Sequence, residues 1–323
     1  MTSTRRLGTR QITPIGLGCM QFAGRGVNLY PPVPQEEVQA IVAAALKGGI
    51  TWFDTAEMYG GGGSERALTT ALHNLGVRPG EVLVASKWTP FGRTARSIEK
   101  TAPQRVAALQ GYPLDLHQIH APGGSFSSLA RQVDAMARLY RAGTIGGVGV
   151  SNFGAAAMER AHALLAAQGV PLVSNQVQIS LLHRSVERDG VLTAARRLDV
   201  TLIASSPLRS GALTGKFHDN PGSTASLRGM RRLLGGRYGY SRRALDRTRP
   251  LIDELRAVAV VHGATPTQVA LAWLVGYYGD TVVAIPGASK VRHAEEAAAA
   301  VDLALSGREL ETLAEVSTRV LRG

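Results

Sequence analysis

Eight short runs rich in apolar and β-branched residues punctuate this chain, and a longer stretch of helical periodicity follows each of them. The strand runs read as 15–18, 51–54, 82–87, 114–120, 145–151, 173–178, 201–205 and 281–285. Helical segments follow at 35–47, 64–75, 103–109, 128–142, 155–168, 191–198, 249–261 with 265–275, and 290–300. Parallel strands need crossovers of this length, and eight such units predict a closed (β/α)8 TIM barrel, an α/β fold, rather than an open sheet. "RRLGTRQI" before the first run predicts a hairpin plugging the barrel bottom, Ser64 reads as an N-cap and Pro103 as a helix start. Residues 306–317 predict an extra C-terminal helix. No linker divides the sequence, so residues 1–323 are expected to form one domain, with 208–248 as a long loop insertion after the seventh strand.

The 45% of hydrophobic residues can fill such a core. No apolar run approaches the roughly 18–20 residues that span a bilayer, and nothing resembles a signal peptide. A single cysteine, Cys19, excludes an internal disulfide framework and suits a reducing compartment. A soluble, cytoplasmic protein with no membrane partner is expected. The net charge of +12 is partly local: Arg228, Arg231, Arg232, Arg237, Arg242, Arg243, Arg247 and Arg249 lie near only one acid, Asp246. A solvated, mobile loop and attraction of phosphate are the two leading readings. Nucleic acid ranks behind them, since no helix-turn-helix, zinc or RNP-type pattern accompanies the arginines.

Reactive groups of such a barrel sit at the carboxyl ends of its strands. Asp54 closes "TWFD", Lys87 closes "VLVASK", His120 closes "DLHQIH", and Tyr59 follows Asp54 by five residues. Taken singly, each has a plain structural explanation: a cap, a solvated lysine, a structural histidine. Together, at the second, third and fourth strands, they converge on one mouth. An ammonium beside a phenol is expected to lower the phenol's pKa, with Asp54 holding Lys87 charged and His120 donating to a carbonyl oxygen. That set suits protonation of an oxygen while a hydride reaches the adjacent carbon. No G-x-S-x-G and no metal-ligand cluster points to hydrolysis or a metal site.

"GITWFDTAEMYGGGGSERAL" resembles the signature of the aldo-keto reductases, and "QIHAP", "VGVSNF", "NQVQISLLHR", "SSPLRSGALTGK" and "VAIPGASKVRHAEE" resemble that family's later landmarks in order. The resemblance implies a catalytic tetrad of Asp54, Tyr59, Lys87 and His120. His117 is three residues from His120 and is expected on the opposite face of its strand. The glycines Gly60–Gly63 are expected to turn the chain tightly and present Tyr59, not to cradle phosphate, and no G-x-G-x-x-G occurs.

The resemblance also implies an NADP(H) cofactor and a small-molecule carbonyl substrate. Ser151, Asn152 and Gln176 would bond the carboxamide, with Gly18, Cys19 and Met20 bordering the nicotinamide. Asp54, Ser205, Pro207, Leu208, Ser210 and Gly287 would complete that wall. Lys216 would reach the pyrophosphate, Ser289 and Lys290 the 2′-phosphate, and His293 and Glu296 the adenosine, at a helix N-terminus that favours phosphate. Ser289 as a plain N-cap is the alternative. Ser205, Ala297 and His293 depart from residues frequent in the family. "IPGASK" points to a branch holding bacterial aldehyde and ketone reductases and also channel-associated regulatory subunits. A carbonyl reductase and a nicotinamide-responsive binding subunit therefore both stand, and oligomeric state is left open. The first part of 208–248, jointed by Gly211, Gly215, Gly222, Gly229, Gly235, Gly236 and Gly239, is expected to close over the pyrophosphate.

Overall fold

The strand runs lack apolar–polar alternation because both of their faces are covered. Every residue of β4 (Trp52–Asp54), β5 (Leu83–Trp88), β6 (Leu116–Ile119), β7 (Val148–Ser151) and β10 (Val282–Ile285) is buried. With β3 (Leu17–Gly18), β8 (Leu172–Gln178) and β9 (Thr201–Ser205) they form one parallel sheet hydrogen-bonded in chain order. The computed structural model describes residues 4–23, 33–220, 222 and 240–322. The sheet closes on itself: Gly16 donates to the Ala284 carbonyl at 2.8 Å and Gly18 to the Pro286 carbonyl at 2.9 Å. The (β/α)8 barrel is the observed fold.

Strands β1 (Arg5–Leu7) and β2 (Arg10–Ile12) pair antiparallel as the expected hairpin. Leu7 and Ile12 pack with the barrel's interior layer, which includes Trp52, Leu83, Leu116 and Ile203. The Trp52 indole donates to the Thr13 carbonyl at 2.9 Å. The hairpin thus seals the amino end of the barrel and leaves only the carboxyl mouth open for a site.

Outside the sheet lie α1 (Gln35–Lys47), α2 (Gly63–Asn74), α3 (Arg96–Ala108), α4 (Leu129–Arg141), α5 (Ala155–Ala166) and α6 (Val191–Leu198). After β9 come the single turn α7 (Lys216–Asp219), α8 (Arg242–Val261) and α9 (Pro266–Tyr278), then α10 (Val291–Ala299) and α11 (Gly307–Arg322). Two helices begin seven residues before their expected starts at 103 and 249. Pro103, expected at a helix start, lies inside its helix, and so does Pro250. A proline removes one backbone donor, but a buried stripe carries each helix through it: Ile98, Ala102 and Arg105 in α3, and Leu245, Thr248, Ile252 and Leu255 in α8. Ser241 caps α8, its side chain accepting from the Ala244 amide at 3.2 Å. Thr265 and Gln268 make a capping box ahead of α9.

Residues 208–248 are therefore not all loop. A 3-10 stretch, Arg209–Thr214, leads into α7, and α8 takes up the end of the segment. Tyr240 ties the two sides, its hydroxyl donating to the Ser210 carbonyl at 2.8 Å and its ring lying 4.6 Å from Phe217. Arg242, Arg243, Arg247 and Arg249 are exposed on α8. Arg228, Arg231, Arg232 and Arg237, with Gly229, Gly235, Gly236 and Gly239, lie outside the described residues.

Candidate active site

Alternation along β5 and β6 decides which side chains enter the barrel. Leu83 and Ala85 face the interior layer, so Lys87 does too; Leu116 does, so Gln118 does, and His120 follows just past the strand end. His117 takes the other face, as expected, where it is buried within the influence of Arg105 and Arg93. Lys87 has no exposed surface, and its ammonium donates to Asp54 Oδ1 and, at 2.7 Å, to the Thr55 carbonyl. It also reaches the Tyr59 hydroxyl and stands 5.2 Å from that ring's centre. The His120 ring meets Tyr59 edge-on, with centroids 5.9 Å apart. All four side chains that the tetrad requires come together.

The loop carrying Tyr59 is stitched to its neighbour. Thr55 N donates to Ala85 O at 2.8 Å and Glu57 N to Lys87 O at 3.3 Å, prolonging the β4–β5 ladder past the strand end. The Glu57 carboxylate accepts from the Thr89 amide at 2.5 Å and from Arg93. Gly60, Gly61 and Gly62 then take φ of 66°, 60° and 87°, and a Cβ on Gly60 would fall 2.0 Å from the Ala23 carbonyl. The glycines thus make the turn. Ser64 is not the N-cap; Gly62 is. Ser64 sits inside α2, donating to Cys19 O at 2.6 Å and accepting from Thr55 at 2.8 Å, which pins the loop to the end of β3.

Burial pushes the Tyr59 phenol above its ordinary pKa of 10.0; the Lys87 charge offsets part of that and Asp54 adds to it. The lowering expected from the sequence is present as one contribution, but burial outweighs it, and the phenol holds its proton at neutral pH. Burial also pulls on the Lys87 amine, yet Asp54 and Tyr59 more than compensate, so its pKa rises and it stays charged. Burial and the Lys87 charge bring His120 down to about 3, which leaves a neutral imidazole.

A cavity of about 510 Å³ runs from Asp54 and Tyr59 to the start of α10, a size common for small-molecule sites. Gly18, Cys19, Met20 and Gln176 line it near the tetrad, Ser205, Pro207, Leu208, Ser210 and Lys216 along β9 and its loop, and Gly287, Ser289, Lys290, His293 and Glu296 at the far end. Ser151 and Asn152 are not on its wall. Ser151 donates to the Gln176 carbonyl at 3.1 Å, and Asn152 to the His120 carbonyl at 3.1 Å. Lys290, not Ser289, is the N-cap of α10, and Ser289 N donates to His293 Nδ1 at 3.3 Å. His293 is depressed to about 4 by burial and by Arg292, Lys216 and Lys290, so the far end carries a positive field.

A sequence profile of the Aldo/keto reductase family matches residues 14–318. This chain belongs to the aldo/keto reductase family. An uncharacterised oxidoreductase of Mycobacterium tuberculosis is 38% identical over 315 residues, spanning 96% of this aldo/keto reductase and 91% of its relative. The chloroplastic pyridoxal reductase of Arabidopsis thaliana is 31% identical over 315 residues, spanning 94% and 83% of the two chains. The crystal structure of an aldo-keto reductase from Klebsiella pneumoniae in complex with NADPH superposes with a TM-score of 0.74 at 26% identity, covering 98% and 95%.

Several residues of this aldo/keto reductase site escaped the sequence reading. Gln118 donates to Asp54 Oδ2 at 3.1 Å, beside Gln176, which donates to the same oxygen at 2.8 Å. Gln176 was expected to serve a carboxamide; its own amide nitrogen is taken by Asp54, and its carbonyl oxygen is what it can offer the cavity. Gln21, Glu37, Ser206, Thr214 and Thr267 also line the cavity. Glu37 and Thr267 come from α1 and α9, where an inspection of strand ends does not reach. Gln118 did carry a signal, because it is two residues from His120 and therefore on the same face.

Proposed function

We propose that this protein reduces an aldehyde or ketone to an alcohol with NADPH. The observation that carries the reading is the buried Lys87 ammonium joining Asp54 to the Tyr59 hydroxyl at the edge of a cavity whose other end is positive. The residues present fit the cofactor. A Cβ on Gly287 would fall 2.4 Å from the buried Gln21 amide, so backbone forms the wall there, and Gln21 Oε1 is buried with no hydrogen-bond partner. Lys216, Lys290 and Arg292 supply cations suited to phosphates beside the N-terminus of α10. The Gln176 side-chain oxygen, on the cavity wall, is assigned to the carboxamide, with Ser151 bracing the Gln176 backbone from behind, and the NADPH complex of the Klebsiella pneumoniae relative supports the choice of cofactor.

When bound, NADPH supplies the hydride that reaches the carbonyl carbon. Tyr59 donates its phenolic proton to the carbonyl oxygen, a general-acid contribution of roughly 10²–10⁴-fold. Lys87 stabilises the phenolate left behind, and Asp54 keeps Lys87 charged and in place. His120, neutral, offers an N–H that orients the same oxygen. Solvent then returns a proton to Tyr59. Free Cys19 is buried at the mouth, which accords with the reducing cytoplasm we assign to the protein. Loss of NADPH absorbance with a panel of aldehydes and ketones tests the reading. Turnover of at least one is expected; no turnover of any, with NADPH still bound, would leave a nicotinamide-responsive binding protein.

A further inference from the structure

We propose that Gln118 is a positioning residue for the Tyr59 acid: its hydrogen bond to Asp54 sets how strongly the Asp54 charge opposes ionisation of the phenol. The inference rests on Tyr59 as the proton donor and adds a residue outside the tetrad. Gln118 lies in the middle of β6 with none of its surface exposed. A buried amide inside a barrel is costly unless its hydrogen bonds are made. Its nitrogen donates to Asp54 Oδ2, while Oδ1 goes to Lys87. Reversing the amide would set two acceptors against each other, so the nitrogen faces Asp54. The cost of that orientation is visible: Gln118 Oε1 is buried with no partner. The amide is arranged for the carboxylate rather than for itself.

The neighbouring strand makes room for it. Gly149 pairs with Gln118 in the β6–β7 register, and a Cβ there would fall 2.8 Å from Gln118 Cγ and 2.5 Å from Ser174 Oγ. Any side chain at 149 would press on the glutamine. The two amides on Asp54 Oδ2 also differ in setting. Gln176 lines the cavity, so its bond is open to whatever occupies that space; Gln118 does not, and its bond is independent of the occupant. Asp54 is therefore always held by at least one neutral donor.

The electrostatic consequence follows directly. The Asp54 charge disfavours the phenolate, and donors to its carboxylate draw that charge down. Without Gln118 the phenolate that forms as Tyr59 gives up its proton is less stable. Proton delivery slows while nothing that touches substrate has changed. A glutamate in its place behaves differently with pH. Two carboxyls this close cannot both ionise easily, so one retains a proton and its O–H can replace the lost N–H. At higher pH the second ionises and repels Asp54.

The test uses Gln118→Leu and Gln118→Glu, with two readouts. In the cofactor-free protein, 13Cζ-tyrosine NMR, with the Tyr59 signal assigned by Tyr59→Phe, reports the phenol without requiring turnover. Reduction of 4-nitrobenzaldehyde by NADPH reports proton delivery. Gln118→Leu is expected to displace the Tyr59 resonance and leave the other tyrosines in place. Its kcat is expected to fall about tenfold, the scale of one lost hydrogen bond to a charged group, with KM unchanged. Gln118→Glu is expected to stay within about threefold of wild type at pH 5.5 and to fall to the Gln118→Leu level by pH 8.5, as its carboxyl ionises. An unmoved Tyr59 resonance in both variants, or an equal loss in Gln118→Glu at every pH, would overturn the proposal and leave Gln118 as packing. If wild type turns over no carbonyl, the proposed activity fails, and the Tyr59 resonance still decides the role of Gln118.

Discussion

The Lys87 ammonium stands 5.2 Å from the centre of the Tyr59 ring and is paired with the Asp54 carboxylate, and it has no exposed surface. A charge held this deep has a structural cost as well as a chemical use, and the two can be measured separately.

Lys87→Met keeps most of the volume but leaves Asp54 buried beside two amides and no counter-ion. Removing one partner of a buried pair costs about 3–5 kcal/mol, and urea unfolding at pH 7 is expected to show a loss of that size. Carbonyl turnover should fall in parallel with the loss of phenolate stabilisation. A variant as stable as wild type would mean that the pair is well solvated in solution.

Acid should weaken the fold through His117. Burial holds this imidazole at about 4, against 6.5 in an open chain. Between those values the unfolded chain binds the extra proton, so the contribution is complete above pH 6.5 and is lost as pH falls towards 4. At 1.36 kcal/mol per unit, His117 alone accounts for about 3 kcal/mol. His120, held at about 3, adds with the same sign. Urea midpoints at pH 7 and pH 4 should fall less for His117→Gln than for wild type. Equal falls would contradict the assignment.

How much of this was legible in the sequence differs between fold and site. The barrel was legible because strands covered on both faces read as unbroken apolar runs such as "VLVAS", and strand-end positions of Asp54, Lys87 and His120 follow from the same count. Most helix starts were legible to within a residue, and two were not. Pro103 carries a local start signal that the buried stripe of α3 overrides, and the stripe of α8 likewise extends that helix back from 249 to Arg242. The direction of the Tyr59 shift was missed because burial of the ring depends on the whole mouth, whereas the Lys87 neighbour could be read locally. Ser64 looked like a cap because serine before a helix usually is one; its hydroxyl instead reaches Cys19, forty-five residues away in sequence. Contacts of that kind belong to the assembled barrel.

The cofactor's 2′-phosphate is expected to be read by the cations around α10. Lys290→Ala should weaken NADPH binding about tenfold, the loss of one charge-assisted contact, and leave NADH binding nearly unchanged. Fluorescence titration of both cofactors checks it. Equal affinity for NADPH and NADH in the wild type would remove the basis of the assignment.

The start of the segment after β9 should tighten on cofactor binding. Ser206, Arg209 and Ser210 hold positive φ of 52°, 48° and 53°, and Ser210 and Lys216 line the cavity. Non-glycine residues in that region are strained, and a ligand against them can stabilise the arrangement. Hydrogen exchange across 209–220 is expected to slow at saturating NADPH. Unchanged exchange there would show that this stretch is not a cover for the cofactor.

Tyr59→Phe isolates the proton donor, because it removes one oxygen and keeps the ring against His120 and Lys87. Single-turnover reduction of a carbonyl substrate, measured beside NADPH affinity, separates chemistry from binding. NADPH affinity is expected to stay within about threefold of wild type while the reduction rate falls at least ~100-fold, the lower end for a lost general acid. Near-normal reduction by Tyr59→Phe would contradict that role and place the proton donor elsewhere.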